Sequence, residues 1–453
     1  MTKQRTFYHL LTNTLTASVV NFTVWFAITF FVYLETRSVF ATATIAGLYL
    51  VITAVSGFWF GSIVDHHKKK SAMIFSSICS LVLYAICFAI YLFAGREAFS
   101  DPTSPLLWLF VVLLMIGVVI GNIRSVAMST SVTLLIPEDR RDKANGLVGS
   151  AWGVSFLVTS VISGLLVGLS GMFHALLLAV TMTVLIIAHL LLIRVPEKQI
   201  VSSEENGKRG KVDIRGTLKV IVGVPGLFAL IIFTTFNNFL GGVFMALMDA
   251  YGLSLVSVQV WGLLWGFLST GFILGGLIIA RTGLGRNPLR AILLVNVILW
   301  TISSVFTIQA SIILLTVGMF IYMFLIPYVE AAEQTILQKV VPYPRQGRVF
   351  GFAQSMEQAA SPLTAFLIGP IAQFIFIPFM TTGSGPELIG SWYGTGPDRG
   401  LALLFTLAGI IGLIVTLLAF GSKYYRQLSA RYKDGVVVPP TELSTPEDIS
   451  KVA

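Results

Sequence analysis

Twelve mostly apolar stretches, each about 20 residues or longer, follow one another along this 453-residue chain, and each is long enough to cross the hydrocarbon core of a bilayer as a helix. They cover roughly residues 10–34, 42–64, 71–94, 106–136, 145–169, 172–194, 226–250, 257–280, 289–308, 311–338, 350–376 and 400–421. A backbone without water must satisfy its own N–H and C=O groups, so uncharged runs of this length predict helices rather than open strands. Only 11% of the residues are charged, against about 25% in a soluble domain, and the mean hydropathy is +0.86. The chain therefore reads as an all-α polytopic membrane protein, with the lipid bilayer as its first partner. The opening segment has the charges and apolar core of a signal peptide. Its apolar run is too long for one, and no small-residue cleavage site follows, so it reads as a retained first span.

The basic residues orient the bundle. Of 30 Lys and Arg, 26 fall at the termini and in the even-numbered loops, three (Arg37, Arg96, Arg399) fall on the opposite face, and Arg124 lies within a span. The positive-inside rule places both termini and the basic loops in the cytoplasm, as for a multi-pass protein of the cell inner membrane. The net charge of +9 would suit nucleic acid, but its clustering between apolar runs argues for no such partner. Cys79 and Cys87 lie in one apolar run and read as small buried hydrophobes. A Walker loop, HExxH, GxSxG, a channel filter and a metal-ligand cluster are all missing from the sequence, so it suggests no enzyme, metal or cofactor.

The polar segment 195–225 divides two six-span halves, 1–194 and 226–422, and the residues after them, 423–453, read as a disordered cytoplasmic tail. The halves look like repeats. A shift of 205 places Pro137, Arg140, Gly146, Ser150, Thr159 and Gly164 on Pro342, Arg345, Gly351, Ser355, Thr364 and Gly369. A shift of 214 places Gly57 and Gly61 on Gly271 and Gly275. Two parallel repeats are the arrangement of a transporter whose site lies between the halves near the midplane.

The loop "GSIVDHHKKK" after the second span resembles the loop signature of the major facilitator superfamily. Gly61 and Asp65 match it, Lys68 to Lys70 supply its basic run, and His66 stands where the family usually has Arg. The resemblance covers essentially the whole chain. It implies the superfamily fold, a cavity lined by spans one, four, seven and ten, and a cytoplasmic gate made here of Gly61, Asp65, Lys68, Lys69 and Arg140. The stretches "ETRSVFATATIAGL", "IPEDRRDKANGL" and "IPFMTTGSGPELIGSWYGTGPDRG" look like the third drug:proton antiporter group, the macrolide-efflux-like exporters, which implies efflux. One departure is that the fifth span has glycines but no Gly-Pro pair, which weakens proton antiport more than transport.

Charges inside the spans are costly and mark function by default. Arg124 lies 13 residues before Pro137 and Glu330 lies 12 before Pro342, so both sit roughly 18–20 Å above matching helix ends. Glu333 follows Glu330 by one turn. The expectation is that Arg124 faces Glu330 or Glu333 across a water-filled cavity, where one carboxyl takes a proton from outside and Arg124 holds the deprotonated form or an anionic substrate group. A static ion pair fixing helix register is the alternative. Glu357, in span eleven, is a further coupling candidate or a structural partner for a base. Asn21, Trp25, Asn237, Asn238, Tyr328 and Gln334 are the candidate substrate-cavity residues, a polar and aromatic set suited to a small amphipathic organic molecule. The expected activity is proton-coupled efflux by a monomer. An importer or lysolipid flippase of the same fold, and a non-transporting sensor or scaffold, are the other readings.

Overall fold

The computed structural model describes residues 2–36, 39–197 and 214–434. The first half comprises α1 (Lys3–Thr36), α2 (Val39–His66), α3 (Lys69–Ala94), α4 (Pro105–Ile120), α5 (Asn122–Leu135), α6 (Arg141–Ser170) and α7 (Met172–Leu192). Next comes α8 (Ile214–Gly223), and the second half holds α9 (Leu227–Leu255), α10 (Val258–Thr282), α11 (Pro288–Val305), α12 (Ile312–Val340) and α13 (Gln346–Ile371). A π-turn at Ala372–Phe376 leads through the short helices α14 (Ile377–Thr381), α15 (Gly385–Leu388) and α16 (Gly390–Tyr393) to α17 (Pro397–Gly421) and α18 (Lys423–Asp434).

Over the described residues, eleven helices are long and apolar enough to cross a membrane, with α4 and α5 counted as one span broken at Gly121. The 30-residue α6 completes the expected twelve. Glycine at position 121 has a steric reason. A side chain there would collide with the Asn21 amide, so glycine lets α1 approach the fourth span closely. Two segments expected to be irregular hold helices: α8 within 195–225, and α18 within the tail. Residues 198–213 and 435–453 of the linker and tail lie outside the description.

Among the described residues, the apolar cores of the halves merge at one end only. One apolar core runs through the first half and continues, by way of Leu227, Ile231, Ala332, Ile336 and Val349, into the second half at the end that carries the basic loops. A separate cluster around Phe244, Trp300 and Phe405 fills the far end of the second half alone. The crossing of α2 and α13 makes the seam. A Cβ on Gly61 would strike the Gly347 carbonyl, and one on Gly351 would strike the Gly57 carbonyl. Small residues permit such close backbone approach where lipid gives no hydrophobic drive for helix pairing.

The pseudo-equivalent crossing, α6 on α10, uses Gly146 against Ile279 and Ala280, and Gly276 against Ser150 and the Gly146 carbonyl. Here the repeat slips by one residue. Gly275, the sequence match of Gly61, turns instead onto the Phe324 carbonyl of α12.

Gly61→Ala is therefore expected to cost about 1–3 kcal/mol of the seam through overpacking, read as a lower thermal unfolding midpoint in detergent. Gly47→Ala, with nothing within 4 Å of the added carbon, is the control and is expected to leave the midpoint unchanged or slightly higher.

Candidate functional site

A cavity of about 270 Å³ lies between the halves. Its walls come from α1, α2, α4, α5 and α6 on one side and α12 and α13 on the other. Arg124, Glu330, Glu333, Glu357, Asn21 and Gln334 all line it. Span seven, α9, supplies no lining residue, so the expectation that it would line the cavity is corrected. Spans two, five and eleven line it as well as one, four and ten.

Arg124 does not pair with a glutamate. Its side chain is 3% exposed. Nη1 donates to Asn13 Oδ1 at 2.5 Å, and Nη2 donates to Ser77 Oγ. Asn13 is itself held, because its Nδ2 donates to the Ile186 carbonyl at 2.9 Å and lies 3.1 Å from His189 Nδ1. Neutral hydrogen-bond acceptors on α1 and α3 thus hold the guanidinium within its own half. Matched depth on α5 and α12 put Arg124 and Glu330 on the same cavity but left their rotations about the helix axes open. Asn13 and Ser77 were missed because isolated Asn and Ser residues are common in spanning helices. Only their convergence on a buried cation sets these two apart.

The three carboxyls form a cluster of their own. Glu330 is open to the cavity, whereas Glu333 is 7% exposed and turns toward α9 and α13. Thr234 Oγ1 on α9 donates to Glu333 Oε1 at 3.2 Å. Glu357 reaches across from α13 to within hydrogen-bonding range of Glu333. Glu357 Oε1 and Gln334 Oε1 are buried and find no donor among the described residues. Pro327, one turn before Glu330, interrupts the α12 ladder and packs near Gly149 and Gly275. No ion pair reaches any of the three carboxyls among the described residues.

The other expected lining residues are placed elsewhere. Asn21 does face the cavity, and its Oδ1 accepts from Tyr84 at 2.9 Å. Trp25 stands behind the wall, stacked on the lining residue Tyr49 with ring centroids 4.0 Å apart. Asn237 points to α11, where Trp300 Nε1 donates to its Oδ1 at 2.6 Å. Asn238 is exposed and donates to the Thr234 carbonyl within its own helix. Tyr328 is half-buried against Phe324 and lies outside the lining. Aromatic Phe22, Tyr49, Trp152 and Phe350 and the amides Gln354 and Gln358 take up the lining roles instead.

Below the cavity, at the basic end, polar contacts lock the halves together. Asp65, at the end of α2, accepts from the backbone N–H of Gly347 at 2.7 Å and of Arg348 at 2.9 Å, while Arg348 Nε stands 3.6 Å from its Oδ2. This is an N-terminal cap of α13 supplied from the other half, where a carboxylate meets free N–H groups and the positive end of the helix dipole. His66 fits its unusual place. Arg348 can only donate, so Nε2 of His66 accepts from it at 3.0 Å, and Nδ1 donates to the Ser62 carbonyl at 2.8 Å. At the pseudo-equivalent site the roles are exchanged, with Asp142 at the start of α6 accepting from Leu284 N–H at 2.8 Å.

Between these two contacts, Asn145 donates to Thr335 Oγ1 at 2.8 Å and to Gln338 Oε1 at 3.0 Å, and Gln338 Nε2 donates to the Ser129 carbonyl at 3.0 Å. Lys339 pairs with Glu138 across the seam at 2.9 Å and sits over the Tyr432 ring of α18. Burial, and the nearby Asp142 and Glu138 charges, push the Tyr432 hydroxyl up to about 12, so it stays neutral. Lys69 is buried, with Nζ donating to the Val64 carbonyl and lying 5.3 Å from the Tyr343 ring centre. Lys68 and Arg140 do not join the seam. Lys68 is exposed, and among the described residues Arg140 pairs only with the adjacent, exposed Asp139 at 3.8 Å. The neighbouring Arg141 reaches across instead, to the Gln338 carbonyl at 3.1 Å. The sequence carries no signal that chooses between Arg140 and Arg141, because a 3₁₀ turn sets the phase of the helix start.

Asp65→Asn replaces one acceptor by a donor facing a backbone N–H. It is expected to weaken the cap by about 1–2 kcal/mol, read as faster alkylation of a cysteine at Ser125 by a membrane-impermeant reagent added at the basic face. Arg140→Gln is expected to leave that rate unchanged.

Comparison with known proteins agrees with this architecture. A family model described as the Major Facilitator Superfamily matches residues 10–365. The chain is 22% identical over 377 residues to Macrolide efflux protein A of Streptococcus pyogenes, covering 80% of this chain and 88% of that one. The human organic anion transporter MFSD10 (TETRAN) superposes with a TM-score of 0.67 at 11% identity, covering 90% of this chain and 99% of that chain. A bacterial homologue of the iron transporter ferroportin in an outward-facing state superposes with a TM-score of 0.64 at 14% identity, covering 92% and 100%.

Proposed function

The chain belongs to the Major Facilitator Superfamily, and on that premise we propose that this multi-pass membrane transporter is a proton-coupled exporter of small amphipathic organic molecules, acting as a monomer by alternating access. Its basic end and both termini face the cytoplasm. The observation that carries the reading is the carboxyl cluster: Glu333 and Glu357 within hydrogen-bonding range of each other, Glu330 open to the same cavity, and no cation among the described residues paired with any of them.

A hydrogen bond between two carboxyl groups needs a proton on one of them. A proton held between Glu333 and Glu357 closes that contact, and its loss places two like charges side by side. Such a pair is a two-state element that protonation biases. Glu330, one turn away on the open wall, is the group a substrate meets and through which water reaches the buried pair. Thr234 donates to Glu333 from α9 and so makes the seventh span responsive to the proton even though it does not line the cavity. Arg124 stays fixed to Asn13 and Ser77 as a positive charge on the opposite wall, which favours the ionised form of the cluster whenever the proton leaves.

The described hydrogen bonds and ion pairs between halves all lie toward the basic end, from Asp65 with Gly347 to Asn145 with Gln338. With that end in the cytoplasm, the cavity opens outward, and export requires the seam to part and the opposite ends to close. The direction of transport rests on the relative whose name is Macrolide efflux protein A. Tyr49, Trp152, Phe22 and Phe350, interspersed with the amides of Asn21, Gln334 and Gln354, make a wall suited to a molecule with both apolar and polar parts.

In proteoliposomes with an imposed pH gradient, Glu333→Gln and Glu357→Gln are each expected to abolish uphill efflux of a macrolide or cationic dye while leaving downhill exchange. Glu330→Gln is expected to lower substrate affinity as well. Uphill efflux retained in all three single variants and in the triple variant would rule out coupling through this cluster.

A further inference from the structure

The linker helix α8 divides its circumference three ways. Thr217, Val220 and Ile221 are buried against the bundle, where α8 packs on α9 and α13. Ile214, Leu218 and Val222, at i, i+4 and i+8, form one apolar stripe that is 48%, 39% and 63% exposed. Arg215 and Lys219, also four residues apart and both exposed, follow immediately around the helix beside that stripe. Ten residues rise only about 15 Å, about half the thickness of a hydrocarbon core, so α8 cannot span. Left in water, its stripe would be an exposed apolar face with no partner from the described residues.

The next helix in the chain carries a surface that meets lipid. After the turn at Gly226, α9 enters the membrane with Phe228 and Ile232 outward, 42% and 41% exposed, one helical turn apart. The two helices pack on each other, so α8 lies at the end of a helix whose outward side meets lipid. A short helix with an apolar stripe flanked by basic side chains is built to lie in the interfacial plane, its stripe in the acyl boundary and its cations at headgroup depth.

We propose that α8 is a docking surface for anionic phospholipid: Ile214, Leu218 and Val222 enter the bilayer boundary, and Arg215 and Lys219 bind anionic headgroups. The docked helix forms a platform on α13, the helix whose first turn Asp65 caps, so the lipid surface braces the element that closes the seam.

The test uses the full-length protein with the half-buried Cys79 replaced by serine and a bimane label on Leu218→Cys or, as a solvent-side reference, on exposed Gly223→Cys. In phosphatidylcholine vesicles containing phosphatidylglycerol, the label at position 218 is expected to emit to the blue and to be quenched by acyl-chain doxyl lipid but not by iodide, and the label at 223 is expected to do the reverse. Arg215→Gln with Lys219→Gln, two surface changes that leave the buried face intact, is expected to reduce phosphatidylglycerol retention on the order of tenfold in native mass spectrometry. Iodide quenching at position 218 equal to that at 223 would overturn the proposal. So would shielding from iodide without quenching by acyl-chain doxyl lipid, which would assign the stripe to protein, and so would retention indifferent to the two basic residues.

Discussion

Asp65 is a carboxylate taken almost out of solvent at the junction of two six-span halves, and the closed end of the bundle depends on it. It answers the two free N–H groups of α13 with its two oxygens, and Arg348 and His66 complete the ring around it. The cap forms only because Gly57, Gly61, Gly347 and Gly351 let the two backbones touch. Close packing and electrostatics are therefore one device here: glycine brings the helix end within reach, and the carboxylate holds it there. The α6 and α10 crossing repeats the device with the carboxylate moved to the other partner, on Asp142.

The seam and the cavity make opposite use of buried polarity. In the seam, polar side chains from the two halves meet directly, as in the ring of Asn145, Thr335, Gln338 and Ser129. In the cavity the positive charge is satisfied on one wall and the carboxyls gather on the other, with Gln334 and Glu357 oxygens lacking donors. A satisfied network favours one arrangement of the halves, while an unsatisfied one leaves chemistry to be completed by protons or substrate. In the proposed mechanism, that contrast lets the seam hold the closed state while the centre answers to protons or substrate.

Two helices outside the spans border this machinery. α18 lays Tyr432 against Lys339, which is itself paired to Glu138 of the first half. α8 packs on α13 from the linker. Segments that read as polar connections are thus structural parts of the closed end, because their apolar residues fall at helical spacing that short charged stretches conceal.

The sequence alone determined the twelve apolar runs, the two-half repeat, the basic end and the presence of Gly61, Asp65, Arg124 and the three glutamates at their depths, since length, hydropathy and spacing act along one dimension. Rotation about each helix axis was decided only by tertiary packing. One residue of helical phase sends Gly276 rather than Gly275 to the seam and Arg141 rather than Arg140 across it. The same freedom turns Asn237 to Trp300, sets Trp25 behind Tyr49, and gives Arg124 to Asn13 and Ser77 instead of to a glutamate. The physical reason is that hydrophobicity drives a helix into the bilayer but is indifferent to which side of it meets a neighbour. That choice belongs to glycine contacts and to hydrogen bonds between residues as far apart in the chain as Asp65 and Gly347.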